Sequence, residues 1–240
     1  MLKNILSSHF LNEGVLYHHF GDTALFFILC TLLCVVVPYV LGSVNFAVII
    51  SSKRYNDDVR EHGSGNAGMT NMMRTYGRKA AALTLTGDAL KAIVAALLGY
   101  YAFGLIGAYI AGFFCVLGHL YPIFFKFRGG KGVVTAAFSI LMCNPIVFLV
   151  LIVLFVVIVL AWRYISLGSV MCMLLYPLVL NGVDSIFAGG SGIYMIFAVL
   201  TTVIVVVKHK DNIKRLLNKT ESKFEFKKSV KSTNKKDREN

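Results

Sequence analysis

The sequence predicts an all-α integral membrane protein with seven transmembrane helices, N-terminus outside and C-terminus in the cytoplasm. Three observations carry this. Of the 240 residues, 57% are hydrophobic and 15% charged, and the mean hydropathy is +0.70, too apolar for a water-soluble chain of this length. The apolar residues fall mostly in runs near the roughly 20 residues a bilayer crossing needs. Of the 24 Lys and Arg, 22 lie within 53–79, within 126–131, at Arg163 or from Lys208 onward. Seven crossings place all of these on one side, as the concentration of positive charge in cytoplasmic loops requires.

The elements follow in order. Residues 1–23 form an extracytoplasmic extension. It is too polar at Ser7, Ser8, His9, Asn12 and Glu13 for a cleaved signal, and residues 2–16 suit a helix lying on the membrane surface. Candidate spans are 24–50, 80–103, 105–127, 133–144, 146–162, 165–182 and 191–207. The fourth is short. Asn144-Pro145 separates it from the fifth, because proline lacks a donor and disfavours helix at the residue before it. Fusing 133–162 into one helix would put the tail across the membrane from the other basic loops. The opposite loops, near 104, at 144–145 and at 181–190, hold no Lys or Arg. Within the second span, Asp88 and Lys91 are spaced to neutralise each other.

The membrane domain thus covers 24–217, and 218–240 is a polar segment expected to be a disordered basic cytoplasmic tail. From 208 onward, 12 basic residues face 5 acidic ones, which favours anionic lipid as a partner. No folded basic domain accompanies the tail, so nucleic acid is not expected. Five cysteines lie in or beside apolar runs and are read as small buried hydrophobes. No metal-ligand spacing is present, so neither metal nor cofactor is expected.

Four polar clusters interrupt this pattern. The first holds Gly42-Ser43, Lys53, Asp58-Val59-Arg60 and the run Gly63-Ser64-Gly65-Asn66-Ala67-Gly68. The run fits a dinucleotide-binding pattern, but no apolar strand precedes it. What remains is a glycine-rich loop with free N–H groups and nearby cations, suited to phosphate. The second holds Gly118-His119 and Pro122, then Gly129-Gly130-Lys131-Gly132. It is not a P-loop, since Gly132 stands where Ser or Thr is needed. It does set a Lys beside the positive end of a helix, an anion site. His119 is a functional candidate as an intramembrane imidazole. Its structural alternative is a bond to the backbone carbonyl that Pro122 leaves without a donor. The third cluster is Arg163, Ser166 and Ser169, one face of a helix start; the fourth runs from His209 to Leu217, with His209 and Asn212 on one face.

Together, in this order and spacing, these clusters over residues 24–217 resemble the bacterial membrane-integral acyl-phosphate:glycerol-3-phosphate acyltransferases, the PlsY family. Two departures are visible: Met69 and Val134 stand where that family usually has Ala. The resemblance implies seven spans and transfer of a fatty acyl group from acyl phosphate to the 1-hydroxyl of glycerol 3-phosphate. The products are lysophosphatidic acid and inorganic phosphate, at the entry to phospholipid synthesis in the bacterial inner (plasma) membrane, with the site facing the cytoplasm. It implies catalytic roles for His119, Ser43 and Lys131, with His119 either a general base or an anchor for its loop. Glycerol 3-phosphate falls to Ser43, Arg60, Lys131, Ser166, His209 and Asn212, assisted by Arg163. Acyl phosphate falls to Gly63, Ser64, Gly65 and Asn66 with Gly129, Gly130 and Gly132. Besides both substrates and membrane lipids, the enzyme that forms acyl phosphate is a candidate partner. The chief alternative is a membrane anion transporter using the same cations. Transporter sites lie at mid-membrane between repeats, whereas these clusters gather at one face and no repeat is visible. An enzyme of this kind is expected to keep turnover without 218–240.

Overall fold

The computed structural model describes residues 24–187 and 192–224. The N-terminal extension, its surface helix and residues 225–240 lie outside the described residues. Among the described residues all regular structure is helical.

Helix α1 (Ala24–Ser43) is apolar almost throughout and carries Pro38. It stops at Val44-Asn45, where Asn45 starts α2 (Phe46–Tyr55) by accepting from the Val48 N–H at 3.1 Å. The break frees carbonyls in an apolar setting, which would be costly unpaired. The Lys91 ammonium takes them, donating to Gly42 O at 3.1 Å and Val44 O at 2.9 Å. Asp88 Oδ1 stands 2.8 Å from the same ammonium. The expected Asp88–Lys91 pair therefore also closes a helix break.

After a 3₁₀ turn (Val59–Glu61) and the short α3 (Met69–Tyr76), the chain enters α4 (Arg78–Leu120). Helical geometry fails inside α4 at Phe103 (φ −130°, ψ 24°) and Gly104 (φ 65°, ψ −149°). Side-chain-bearing residues essentially avoid the Gly104 conformation. The chain reverses there into two arms, 78–102 and 105–120. The arms touch backbone to backbone: a Cβ on Gly99 would lie 2.1 Å from the Gly107 carbonyl oxygen. Helix α1 packs as closely, since a Cβ on Gly118 would lie 2.1 Å from Tyr39 O. Small residues permit this approach where lipid supplies no hydrophobic drive between helices.

Helices α5 (Val133–Cys143), α6 (Pro145–Trp162), α7 (Ile165–Phe187), α8 (Tyr194–Lys208) and α9 (Lys210–Leu217) complete the order. The main core joins the second arm of α4 to α5 through α8, with Val116, Leu120, Val147, Leu180 and Val205 fully buried. Leu149, Leu160 and Leu178 point outward, each more than 60% exposed, as lipid-facing side chains do. Among the described residues, four segments are long and apolar enough to cross a bilayer: Ala24–Tyr55, Arg78–Phe125, Pro145–Trp162 and Ile165–Phe187.

Helices α5 and α8 are shorter. The 11 residues of α5 rise only about 16 Å, half of a hydrocarbon core of about 30 Å. Yet its far end is level with the end of α7, because Asn144 Nδ2 donates to Asp184 Oδ1 at 3.0 Å. Its start is recessed instead: Gly132 and Val133 line the same cavity as Ser169, one turn inside α7. Cys30, Cys34, Cys115 and Cys172 are buried thiols and Cys143 is half-buried, none in a disulfide.

Candidate active site

The polar loops are knitted by side-chain amides and one guanidinium. Asn71, fully buried in the first turn of α3, donates to Val59 O and His62 O, both at 2.9 Å, and accepts from the Ser64 N–H at 3.0 Å. This fastens the 62–66 loop so closely that a Cβ on Gly63 would lie 2.3 Å from Asn71 Oδ1. Arg60 Nε donates to both oxygens of Asp58 at 3.0 Å, and its Nη1 reaches Phe125 O and Arg128 O at 3.2 Å. It pins the 123–128 segment. The second loop folds back on the end of α4: Gly130 N–H donates to His119 O at 3.1 Å. A Cβ on Gly130 would lie 2.3 Å from His119 Nε2.

These loops close a cavity of about 140 Å³ lined by Ser64, Asn66, Asp88, His119, Lys131, Gly132, Ser166, Ser169, His209 and Asn212, with Thr70, Arg74 and Glu221. The starts of three helices line it as well: α3 through Met69 and Thr70, α5 through Val133 and Val134, and α7 through Ile165 and Ser166. Each brings unpaired N–H groups and the positive end of its dipole. Next to it lies a groove of about 330 Å³ whose walls, including Leu85, Phe138, Phe148 and Ile152, are apolar except for Ser169. Met69, Val133, Val134, Phe155 and Ser169 belong to both, so polar cavity and apolar groove share one wall.

The structure brings together Lys131, Ser166, His209, Asn212, His119, Ser64, Asn66 and Gly132. Ser43, Arg60, Arg163, Gly63, Gly65, Gly129 and Gly130 do not line the cavity. Ser43 donates to Tyr39 O at 2.9 Å and accepts from Ile123 N–H at 3.3 Å, joining α1 to the second loop. Arg163 closes α6 in a left-handed conformation and offers its carbonyl to Phe224 N–H at 2.6 Å. Ser43 and Arg60 brace the segments around the site from outside the cavity. Sequence reasoning passed over Arg74, whose signal is its position one helical turn after Thr70, and Glu221, assigned to the tail. The expectation of disorder from 218 does not hold for 218–224. Glu221 Oε1 accepts from Ser166 Oγ and Asn212 Nδ2, each at 2.8 Å, and Oε2 accepts from Arg215 Nε at 2.7 Å.

Hydrogen-bond partners fix the states of the key groups. His119 Nδ1 lies 2.9 Å from the Lys91 ammonium, which can only donate. Nδ1 also lies 3.5 Å from Asp88 Oδ1, so the ring faces the buried Asp88–Lys91 pair and not the backbone near Pro122. In His209, Nδ1–H donates to Val205 O at 2.7 Å, leaving Nε2 as acceptor. Burial is the main reason its pKa falls to about 4, so it is neutral at physiological pH. Lys131 donates to Asn212 Oδ1. Burial lowers its pKa to about 8, opposed by Glu221 and assisted by Arg215 and Arg74. Burial works against the charge of Glu221, but donation from Arg215, Ser166 and Asn212 outweighs it and keeps the carboxyl below its usual range.

Residues 32–219 match the family model described as glycerol-3-phosphate acyltransferase. The chain belongs to the glycerol-3-phosphate acyltransferase family. Among curated members, one from Thermoanaerobacter sp. (strain X514) is 38% identical over 199 residues, 83% of this chain and 98% of the relative. Glycerol-3-phosphate acyltransferase 2 of Bacillus cereus (strain ZK / E33L) is 42% identical over 202 residues, 84% and 98% of the two chains. The solved integral membrane acyltransferase PlsY (YgiH) in its glycerol 3-phosphate form superposes with a TM-score of 0.74 at 34% identity, covering 82% of this chain and 96% of that one. Its lysophosphatidic acid form gives 0.71 at 32% identity, over 82% and 95%. As a member of this acyltransferase family with several apolar helices, the chain is a multi-pass membrane protein.

Proposed function

We propose that this protein transfers a fatty acyl group from acyl phosphate to the 1-hydroxyl of glycerol 3-phosphate, releasing lysophosphatidic acid and inorganic phosphate on the cytoplasmic side of a bacterial inner membrane. The observation that supports the donor is the shared wall: a small polar cavity ringed by helix starts lies directly against an apolar groove. A free inorganic anion has no use for the groove. An acyl phosphate fits both, with its chain against Phe138, Phe148 and Ile152 and its phosphate at the starts of α3 and α5 beside Ser64 and Asn66. The distribution of Lys and Arg supports seven crossings, the two arms of α4 counted separately, with the basic loops and the C-terminus on the cytoplasmic side.

The acceptor's phosphate belongs to Lys131 and Arg74, with Ser166 and Asn212 around it. His209 Nε2 accepts from the attacking hydroxyl and orients it. The hydroxyl oxygen bonds to the acyl carbon, the carbon–phosphate oxygen bond breaks, and the leaving phosphate takes the electron pair. His209, at about 4, is a weaker base than a phosphate oxygen titrating near about 6, so the hydroxyl proton ends on phosphate. His119, its ring turned to the Asp88–Lys91 pair, anchors the Gly130 loop through its backbone carbonyl and does not act as base. Catalysis then consists of holding two anions in line and stabilising their charge. The decisive experiment mixes purified protein in detergent with acyl phosphate and glycerol 3-phosphate. Stoichiometric release of phosphate and lysophosphatidic acid is expected. No product from acyl phosphate, with product from another acyl donor, would overturn the donor assignment.

A further inference from the structure

We infer that Glu221 is a positioning residue of the acceptor site, orienting the Asn212 amide and the Ser166 hydroxyl and thereby holding Lys131 in the cavity. The residue lies just beyond the stretch that matches the family model, in a segment whose composition reads as tail. Its side chain is nonetheless only 6% exposed. The segment is strapped down at both ends: Thr220 N–H donates to Arg215 O at 2.8 Å, and Phe224 N–H donates to Arg163 O at 2.6 Å. Such ties are not needed to keep a tail near a membrane.

The direction of each bond gives the role. A carboxylate can only accept. Glu221 Oε1 therefore requires the NH₂ of Asn212 on its side, at 2.8 Å, which turns Asn212 Oδ1 to the Lys131 ammonium. The same oxygen takes the Ser166 hydroxyl proton. Arg215 Nε, on α9, holds the other carboxylate oxygen at 2.7 Å and fixes its plane. Without Glu221 the Asn212 amide is free to rotate and offer its NH₂ to Lys131, a donor facing a donor. The carboxylate is also the negative charge that acts most strongly on Lys131. The other charged groups around it are Arg74 from α3, Asp211 and Arg215 from α9, and Asp88 from α4, with His119 and His209 as imidazoles.

This inference rests on the acceptor site proposed above. The test uses the full-length protein in detergent, with Glu221→Ala and Glu221→Gln, reading phosphate release against each substrate concentration from pH 6 to 9. Glu221→Ala should raise the KM for glycerol 3-phosphate by about tenfold, the scale of losing one hydrogen bond to a charged group, and leave the KM for acyl phosphate unchanged. Glu221→Gln keeps an acceptor for Asn212, so its KM should stay within about threefold of the parent. In both variants Lys131 loses a stabilising negative charge, so the alkaline fall of kcat/KM should begin at lower pH than in the parent. A structural prop would not move that limb. If Glu221→Ala does not fold, Glu221→Gln carries the pH readout alone. Parent-like KM and alkaline limb in the folded variants, or equal losses for both substrates with an unmoved limb, would overturn Glu221 alone. A parent that turns over acyl phosphate but ignores glycerol 3-phosphate would overturn both Glu221 and the acceptor site.

Discussion

Lys131 concentrates the chemistry of the site at one atom. Burial brings its pKa down to about 8, so its charge is full below that pH and is lost as pH rises through it. Activity that needs the ammonium should therefore fall above about pH 8, in kcat/KM, which reports the free enzyme. Lys131→Ala should lower kcat/KM by roughly a hundredfold or more and abolish that alkaline limb, both read from phosphate release. Arg60 is a different case. Both sequence and structure make it important, but through Asp58 and the carbonyls of Phe125 and Arg128. Arg60→Lys should therefore fail to restore what Arg60→Ala loses, since a single ammonium cannot fork. Limited proteolysis at 123–128 should accelerate in both. The sequence shows that these residues are polar and clustered. It does not show which of two cations faces the ligand, because that depends on carbonyls 60 or more residues away.

At the scale of elements, most of the architecture was legible, and for one reason: in lipid, apolar length and charge placement are nearly the whole of the constraint. The break at 103–104 was anticipated from the separation of two apolar runs, and the conformation of Gly104 accounts for it. Gly99→Leu would force side-chain atoms into the Gly107 carbonyl. A loss of thermal stability by about 3 kcal/mol or more is expected, seen as a lower unfolding midpoint in detergent. The recessed start of α5 was not legible, because depth is set by packing against α4 and α6 and not by local composition. It explains why Met69 and Val134 matter: both stand in the wall between cavity and groove. Met69→Ala and Val134→Ala should widen that neck and shift acyl-chain preference, measured as kcat/KM ratios between acyl phosphates of two chain lengths. Unchanged ratios in both variants would remove the wall from the account of specificity.

For the molecule as a whole, charge defines the tail only in part. Composition places 218–240 in one class, yet Ser166, Asn212 and Arg215 capture its first residues. A sequence cannot reveal this, because an isolated Glu in a polar stretch has no pattern that points to its partners. Truncation after residue 224 should leave turnover within about twofold, while truncation after 217 should cost as much as Glu221→Ala, about tenfold in the KM for glycerol 3-phosphate. Equal behaviour of the two truncations would contradict the boundary drawn here. A cysteine placed at 230 should react with a membrane-impermeant thiol reagent only after the cell membrane is opened, which tests the placement of the C-terminus.

In the proposed reaction, the wall common to the polar cavity and the apolar groove separates the products. The new ester's greasy end lies among hydrocarbon neighbours, while the freed inorganic anion has polar ones. The two leave by different doors into immiscible phases, and a re-encounter requires a meeting across that boundary.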